Sequence, residues 1–340
     1  MQYSLDQYTL LPCSISNIEH RADIKVKDDN GKYRMFVAPM TCLLNANNFD
    51  TFLDSAFIPV YPIWNGEPIS YRLKMSSEKN CWVALSLAEF QYAFCANGGA
   101  ASKSDSYKVL IDCADGHMRK IFELVKSAKK EYKHLVVMTG NIAHPDAYVE
   151  CCKAGIDYVR VSIGTGSGCT SSVKLGFHAS MGWLLTEIQK IRTDERFLDS
   201  AEEFNWAYTK VIADGGCDTS ARIIKCLALG ADYVMCGKLF AMTKEACGEI
   251  RKVLTTVDRH YYGQASTYGK QDRFGKCDGH IEGTDIWVPT VYTLDRLDKE
   301  LGECFSSAMS YGGARSWDEF IGKIQWDIQS NSEFSAYNKD

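Results

Sequence analysis

Proline is scarce in this chain, at 7 residues in 340, and 26 glycines are too few for a collagen-like or low-complexity polymer. A basic excess is also missing. The formal charge of −5 leaves no electrostatic case for non-specific binding to nucleic acid or to an anionic membrane. An anionic ligand therefore needs a local site. No apolar run is long enough to span a bilayer, because Glu, Asp or Gly interrupts the most hydrophobic segments. The opening residues MQYSLDQYTLLPCS lack the basic flank and apolar core of a signal peptide. No pair of the 14 cysteines has zinc-ligand spacing beside a second pair. Without a secretory signal these cysteines read as reduced thiols, most of them acting as small hydrophobes within apolar runs. The expectation is a cytoplasmic protein with neither a nucleic-acid nor a membrane partner.

What is present suffices for a large core: 46% of residues are hydrophobic and 24% charged. Eight short apolar runs recur at 33–38, 56–61, 81–87, 108–113, 134–139, 158–163, 210–213 and 233–236. Their two-sided apolar character (VLIDC, LVVMT, YVRVS, YVMCG) suits parallel strands covered on both faces. Between them, 118–130, 220–228 and 243–253 carry helical spacing. AGIDYV at 154–159 and LGADYV at 229–234 repeat one helix–strand joint, with Gly closing the helix. Eight such units predict an α/β fold of the (β/α)₈ TIM-barrel type, a single domain over 1–340. Two stretches interrupt the pattern. Residues 192–207 read as a surface excursion whose Phe197, Phe204, Trp206 and Tyr208 pack the loop or form an interface. Residues 261–290 read as a long late loop at the active site. Further helical stretches fall at 293–306 and 317–325, and the C-terminal tail covers about 305–340.

In a barrel the loops after the strands build the site, and the last two commonly hold phosphate. After the sixth run comes GTGSGCTSS at 164–172, whose glycines allow tight turns with amides and carbonyls free. A cysteine in a chain with fourteen is usually structural. Cys169 is different, because it lies in a Gly/Ser loop without apolar neighbours, where burial does not explain it. The seventh run ends in Asp214-Gly215-Gly216 and the eighth in Gly237-Lys238. Either pair alone marks a turn more often than a ligand site. Together, in this strand order, they read as a nucleoside monophosphate cradle, with phosphate on 215–216 and 237–238, ribose on Asp214 and the base near Cys169.

At these loops the sequence resembles the IMP dehydrogenase/GMP reductase family. GTGSGCTS followed by VIADGGCDTSARIIKCLALGADYVMCGKLFAMTKEACGE is similar to its nucleophile loop and paired phosphate loops. LIDCADGHMRKIFELVK, YYGQAS, IEGTDIWVP and MSYGGARSWDEF resemble further segments, so the likeness extends over nearly the whole chain. The resemblance implies that Cys169 attacks C2 of a purine nucleoside monophosphate while NADPH, or NAD in the dehydrogenase direction, exchanges hydride there. It implies a phosphate site of Ser167, Gly215, Gly216, Gly237 and Lys238 near Tyr261, with Gly263 and Gln264 also on the nucleotide. It further implies ribose on Asp214, proton handling by Ser171 and Glu282, and Asp112, Gly140 and Asn141 near the nicotinamide or base. A potassium site on the carbonyls of Gly164, Gly166 and Cys169, and a homotetramer, complete what it implies.

Two features favour the reductase side of the family: no CBS module follows the second strand, and the 261–282 segment is short. The departures are concentrated around base and cofactor. Ser171 replaces Thr, Gln264 replaces Met, Ser172 replaces Arg, and Lys238 stands where the family has Ser or Gly. Pro39-Met40-Thr41 replaces Asn-Met-Asp, Asp115 replaces Asn, and VYPIWNGEPISYR lacks the reductase lysine. Asp272-Arg273-Phe274 is similar to the dehydrogenase flap's Asp-Arg-Tyr without its phenol. Such changes suit a divergent member acting on GMP or a related purine nucleotide. The competing readings are oxidation of IMP to XMP, a nucleotide-binding regulator that has lost hydride transfer, and a flavin-dependent barrel.

Overall fold

Each of the eight apolar runs forms a strand, and the strands close on themselves. The computed structural model of the protein describes residues 3–96, 98–113, 115–203, 208–279, 281 and 283–329. Its barrel strands are β1 (Met35–Val37), β2 (Ile58–Tyr61), β3 (Trp82–Leu85), β4 (Tyr107–Ile111), β5 (Leu135–Ile142), β6 (Tyr158–Val161), β7 (Lys210–Asp214) and β8 (Tyr233–Cys236). Neighbours are parallel, and β1 pairs with β8 through Met35 opposite Val234 and Val37 opposite Cys236. The fold is a (β/α)₈ barrel. Between β2 and β3 lies one helix, Ile69–Lys79, with no inserted module. Among the described residues no helix is long and apolar enough to cross a membrane.

Aromatic side chains plug the N-terminal end of the barrel. Phe36 packs against Trp82 and Tyr233 with ring centroids 5.9 and 5.3 Å apart, and Tyr158 lies 5.1 Å from Trp82. Three of these four residues open their strands. Lys210 covers Tyr158 and Arg34 covers Tyr233 from outside, as cations over ring faces. A filled bottom leaves the opposite end for a ligand.

The repeated joint has a physical purpose. Asp157 gives its backbone N–H to Val137 O and takes the Val137 N–H on its carboxylate at 2.7 Å. Asp232 makes the same exchange with Val211, again at 2.7 Å. Lys129 and Arg192 neutralise the two carboxylates. In both units the aspartate thus ties the start of one strand to the strand before it.

Several expectations need correcting. The 243–253 segment is not a helix: its last residues form the strand Ile250–Val253, which pairs antiparallel with Thr256–Tyr262. Its apolar spacing also fits a hairpin, where β-branched Ile and Val are favoured. The 261–290 stretch is not a long loop. Strands Thr256–Tyr262 and Asp285–Pro289 pair, and a helix, Thr267–Phe274, lies between them, capped by the Ser266 hydroxyl. Residues 192–203 are largely helical, within Met181–Thr193 and Glu195–Glu203, while Phe204 and Trp206 lie outside the described residues. Phe197 is buried between Tyr148 and Tyr208, so it packs and is not exposed. A strand at Trp326–Ile328, antiparallel to Tyr8–Leu10, joins the two ends of the chain and was not visible in the sequence pattern.

The aromatic plug is a testable support of the barrel. Phe36→Ala is expected to lower unfolding free energy by about 3–5 kcal/mol, read by denaturant titration. A loss below about 1 kcal/mol would show that the barrel does not depend on this layer.

Candidate active site

A cavity of about 290 Å³ opens at the C-terminal ends of the strands. Its wall includes Asp112, Asn141, Gly164, Gly166, Ser167, Cys169 and Ser171, together with Asp214, Gly215, Gly216, Gly237, Lys238, Tyr261, Gly263 and Gln264. Of the sequence-derived residues that the structure describes, Gly140 alone is not in this wall. Gly140 lies behind it, packed so closely on Arg160 that a Cβ there would meet the Arg160 carbonyl. Glu282 lies outside the described residues.

The loop that carries Cys169 leaves β6 at Ser162, whose φ of +93° is uncommon for a residue with a side chain. Ser162 is held there by its N–H to Ile142 O at 2.9 Å and by its hydroxyl against that of Thr165 at 2.7 Å. The loop then turns through Gly164 and closes by Cys169 N–H to Gly166 O at 2.9 Å. Cys169 is half-buried in the cavity wall, with Sγ 3.3 Å from the Ser171 hydroxyl. The thiol faces the opening and not packed hydrocarbon.

Backbone contacts fasten this loop to the late segment. Thr284 N–H donates to Gly168 O at 3.1 Å, and Cys169 bridges Gly283. A Cβ on Gly263 would stand 2.4 Å from Gly168 O, so only glycine permits this approach. Gln264 donates its side-chain amide to Pro39 O at 2.8 Å, tying the same segment to the end of β1.

At the β7 end, Gly215 and Gly216 have φ of +95° and +74°, forming a turn that L side chains resist. Lys238, after β8, lies 3.6 Å from Asp218. Tyr261 is buried beside Gly237, and its hydroxyl makes no hydrogen bond among the described residues. Burial and nearby acidic groups push that phenol up, so it remains a donor at neutral pH.

Arg160 is the residue the sequence reading passed over. It is 6% exposed and stands between two aspartates, with Nη2 2.9 Å from Asp112 Oδ1 and Nη1 3.7 Å from Asp214 Oδ2. The signal was present as a lone cation in the apolar run YVRVS. Asp112 also receives Arg273, from Nη1 at 2.6 Å on its carboxylate and from Nη2 at 2.7 Å on its carbonyl. Burial acts to raise the Asp112 pKa, but the Arg273 and Arg160 guanidiniums overcome it and hold the carboxyl below its ordinary value. At Asp214 burial wins over the more distant Arg160, and its pKa is raised. Asp214 also accepts Asn141 Nδ2 at 3.0 Å, while Asn141 donates to Ser162 O at 2.9 Å.

Asp112 and Arg273 thus latch the Thr267–Phe274 helix over the barrel mouth. The helix is held on its other flank by Tyr262 Oη on Asp272 at 2.6 Å and by Asn65 N–H on Asp272 O at 2.8 Å. Phe274 is 53% exposed, and the Arg273 guanidinium lies over its ring, 5.3 Å from the centroid. Within the 164–172 loop, Gly166 O accepts the Cys169 N–H and Gly164 O accepts the Ser172 hydroxyl at 3.5 Å. Among the described residues no group of three His, Cys, Asp or Glu could hold a metal.

Comparison with known proteins points to one family. Residues 99–336 match the IMP dehydrogenase / GMP reductase domain. The chain is similar to the GMP reductase of Streptococcus agalactiae serotype V, at 28% identity over 337 residues covering 97% of this chain and 96% of the relative. It is 28% identical to the Enterococcus faecalis GMP reductase over 326 residues, covering 95% and 94%. A GMP reductase of Helicobacter pylori is 32% identical over 228 residues, covering 67% and 64%.

The Asp112–Arg273 latch has a definite pH sense. A carboxyl depressed in the folded state stabilises fully above its unfolded value, about pH 4, and that contribution is lost as pH falls through the lower folded value. Hydrogen-exchange protection of residues 267–274 is therefore expected to hold down to about pH 4 and to drop below it. Asp112→Asn is expected to cut that protection about tenfold or more at pH 7 while the β2 and β3 strands keep theirs. Unchanged protection in the variant would show that the latch does not hold the helix.

Proposed function

The chain belongs to the IMP dehydrogenase/GMP reductase family and is an NAD(P)H-dependent oxidoreductase, and from that premise we propose that it reductively deaminates GMP or a closely related purine nucleoside 5′-monophosphate. One observation carries the reading. Cys169 Sγ faces a cavity that also contains the Asp214 carboxylate and the Gly215–Gly216 and Gly237–Lys238 turns, with the Ser171 hydroxyl 3.3 Å from the sulfur.

In this reading the two glycine turns, Ser167, Lys238 and the unpartnered Tyr261 hydroxyl hold the phosphate, and Asp214 accepts the ribose hydroxyls. Phosphate and sugar fixed at one end place C2 of the base against the sulfur at the other. The Cys169 thiolate adds to C2, and the C2 amino group leaves as ammonia with a proton delivered through Ser171 and Glu282. NADPH, when bound, supplies the hydride to C2. The C–S bond then breaks, IMP leaves, and the thiolate is regenerated. Asn141 fits a carboxamide neighbour, because its Nδ2 is engaged and its Oδ1 accepts nothing among the described residues. Asp112 is a poorer contact, because Arg160 and Arg273 occupy both its oxygens. We assign it to holding those guanidiniums in place.

The lysine that typical reductases carry after the second strand has no counterpart here, and among the described residues Lys238 is the one lysine in the cavity wall, at the phosphate end. Departure of ammonia therefore rests on Ser171 and Glu282 alone. The absence of an inserted module between β2 and β3 and the coverage of GMP reductases along 97% of the chain favour this direction over oxidation of IMP.

NADPH absorbance at neutral pH with GMP, IMP and XMP tests the reading: consumption is expected with GMP. Cys169→Ala is expected to lower the rate by about a thousandfold or more, and Ser171→Ala by about a hundredfold or more. GMP binding with neither NADPH turnover nor an intact-mass adduct on Cys169 would favour the regulator, and NAD⁺ reduction with IMP would favour the dehydrogenase.

A further inference from the structure

A site for a phosphate dianion should exclude carboxylates, yet Asp218 stands in the wall of this one. It lies two residues after the Gly215–Gly216 turn, and its two oxygens face two different cations. Oδ1 accepts Arg222 Nη1 at 2.8 Å, and Oδ2 lies 3.6 Å from Lys238 Nζ. The cations are not equally held. Arg222 also donates from Nε and Nη2 to the Asp6 carboxylate at 2.8 and 2.6 Å, so two aspartates fix it between the N-terminal segment and the helix Ser220–Ala228. Lys238 has a single carboxylate at the longer distance and a flexible four-carbon stem. Of the two, Lys238 is the cation free to re-aim.

We propose that Asp218 is a positioning residue that competes with the ligand's phosphate for Lys238. This rests on the phosphate-cradle reading above. In the free protein Lys238 leans on Asp218. A phosphate entering the glycine turns takes the ammonium over, while Arg222 stays on Asp218 and offsets its charge. When the nucleotide leaves, Asp218 recovers Lys238. A nucleoside without phosphate has nothing to exchange for the carboxylate, so the Lys238–Asp218 pair stays closed against it. Substrate and product carry the same phosphate, so this competition loosens both equally and favours release.

The test is calorimetric titration of the full chain with inorganic phosphate, GMP and guanosine, in the parent protein and in Asp218→Asn, Asp218→Ser, Lys238→Gln and Asp218→Asn/Lys238→Gln. Removing the carboxylate is expected to tighten inorganic phosphate and GMP about fivefold and to leave guanosine unchanged. The gain should vanish in the Lys238→Gln background, a dependence that a merely structural effect would not show. Unchanged or weaker phosphate binding in both Asp218 variants overturns the proposal, as does a gain that survives loss of Lys238 or extends to guanosine. If inorganic phosphate follows this pattern while GMP binds no better than phosphate alone, the competition stands and the purine assignment fails.

Discussion

Arg160 is a guanidinium almost wholly removed from water at the mouth of an apolar barrel. Its desolvation would cost several kcal/mol if left uncompensated, and the compensation comes from Asp112 after β4 and Asp214 at the end of β7. Those two strand ends must therefore stand on either side of β6. Through Asp214 the arrangement extends to Asn141, and through Asp112 to Arg273 and the late helix. The two carboxylates differ in consequence. Asp112 has two guanidiniums in contact and sits below its ordinary pKa; Asp214 has one at a longer distance and sits above. The first is occupied by the protein, and the second keeps an oxygen for something else.

Around Cys169 the fastening is made by backbone. Gly168 and Gly263 touch through main-chain atoms, and Thr284 and Gly283 pair with the residues at Cys169. Main-chain contacts of this kind hold a loop without placing side chains in the cavity, which leaves the thiol and the Ser171 hydroxyl exposed to a ligand. The position of the 263–266 segment depends on glycine and on peptide groups, and Gln264 adds its own bond to Pro39.

The two ends of the barrel divide the work. The N-terminal end is filled by aromatics packed edge to face under a cover of Lys210 and Arg34, and the C-terminal end keeps its polar groups in a cavity. Stability and ligand contact are separated along the strand direction, so the loops at the open end vary without disturbing the core.

The amino-acid order alone determined the strands, their number, the Gly-rich loop around Cys169 and the glycine turns, because a two-sided apolar run and a Gly-rich connection are local properties of the chain. It also located Asp214, Lys238 and Tyr261, since motif order along a barrel maps onto position around its mouth. Tertiary structure decided the rest. The hairpin at Ile250–Val253 looked helical because short apolar spacings serve either period, and pairing with Thr256–Tyr262 settled it. The late segment read as a loop because Asp285–Pro289 becomes a strand only by pairing with Thr256–Tyr262, more than twenty residues earlier. Arg160, Asp218 and Arg273 acquired meaning only from partners 48, 20 and 161 positions away in the chain. A buried charge is defined by what neutralises it, and that neighbour is brought by the closure of the barrel and not by the residues beside it in sequence.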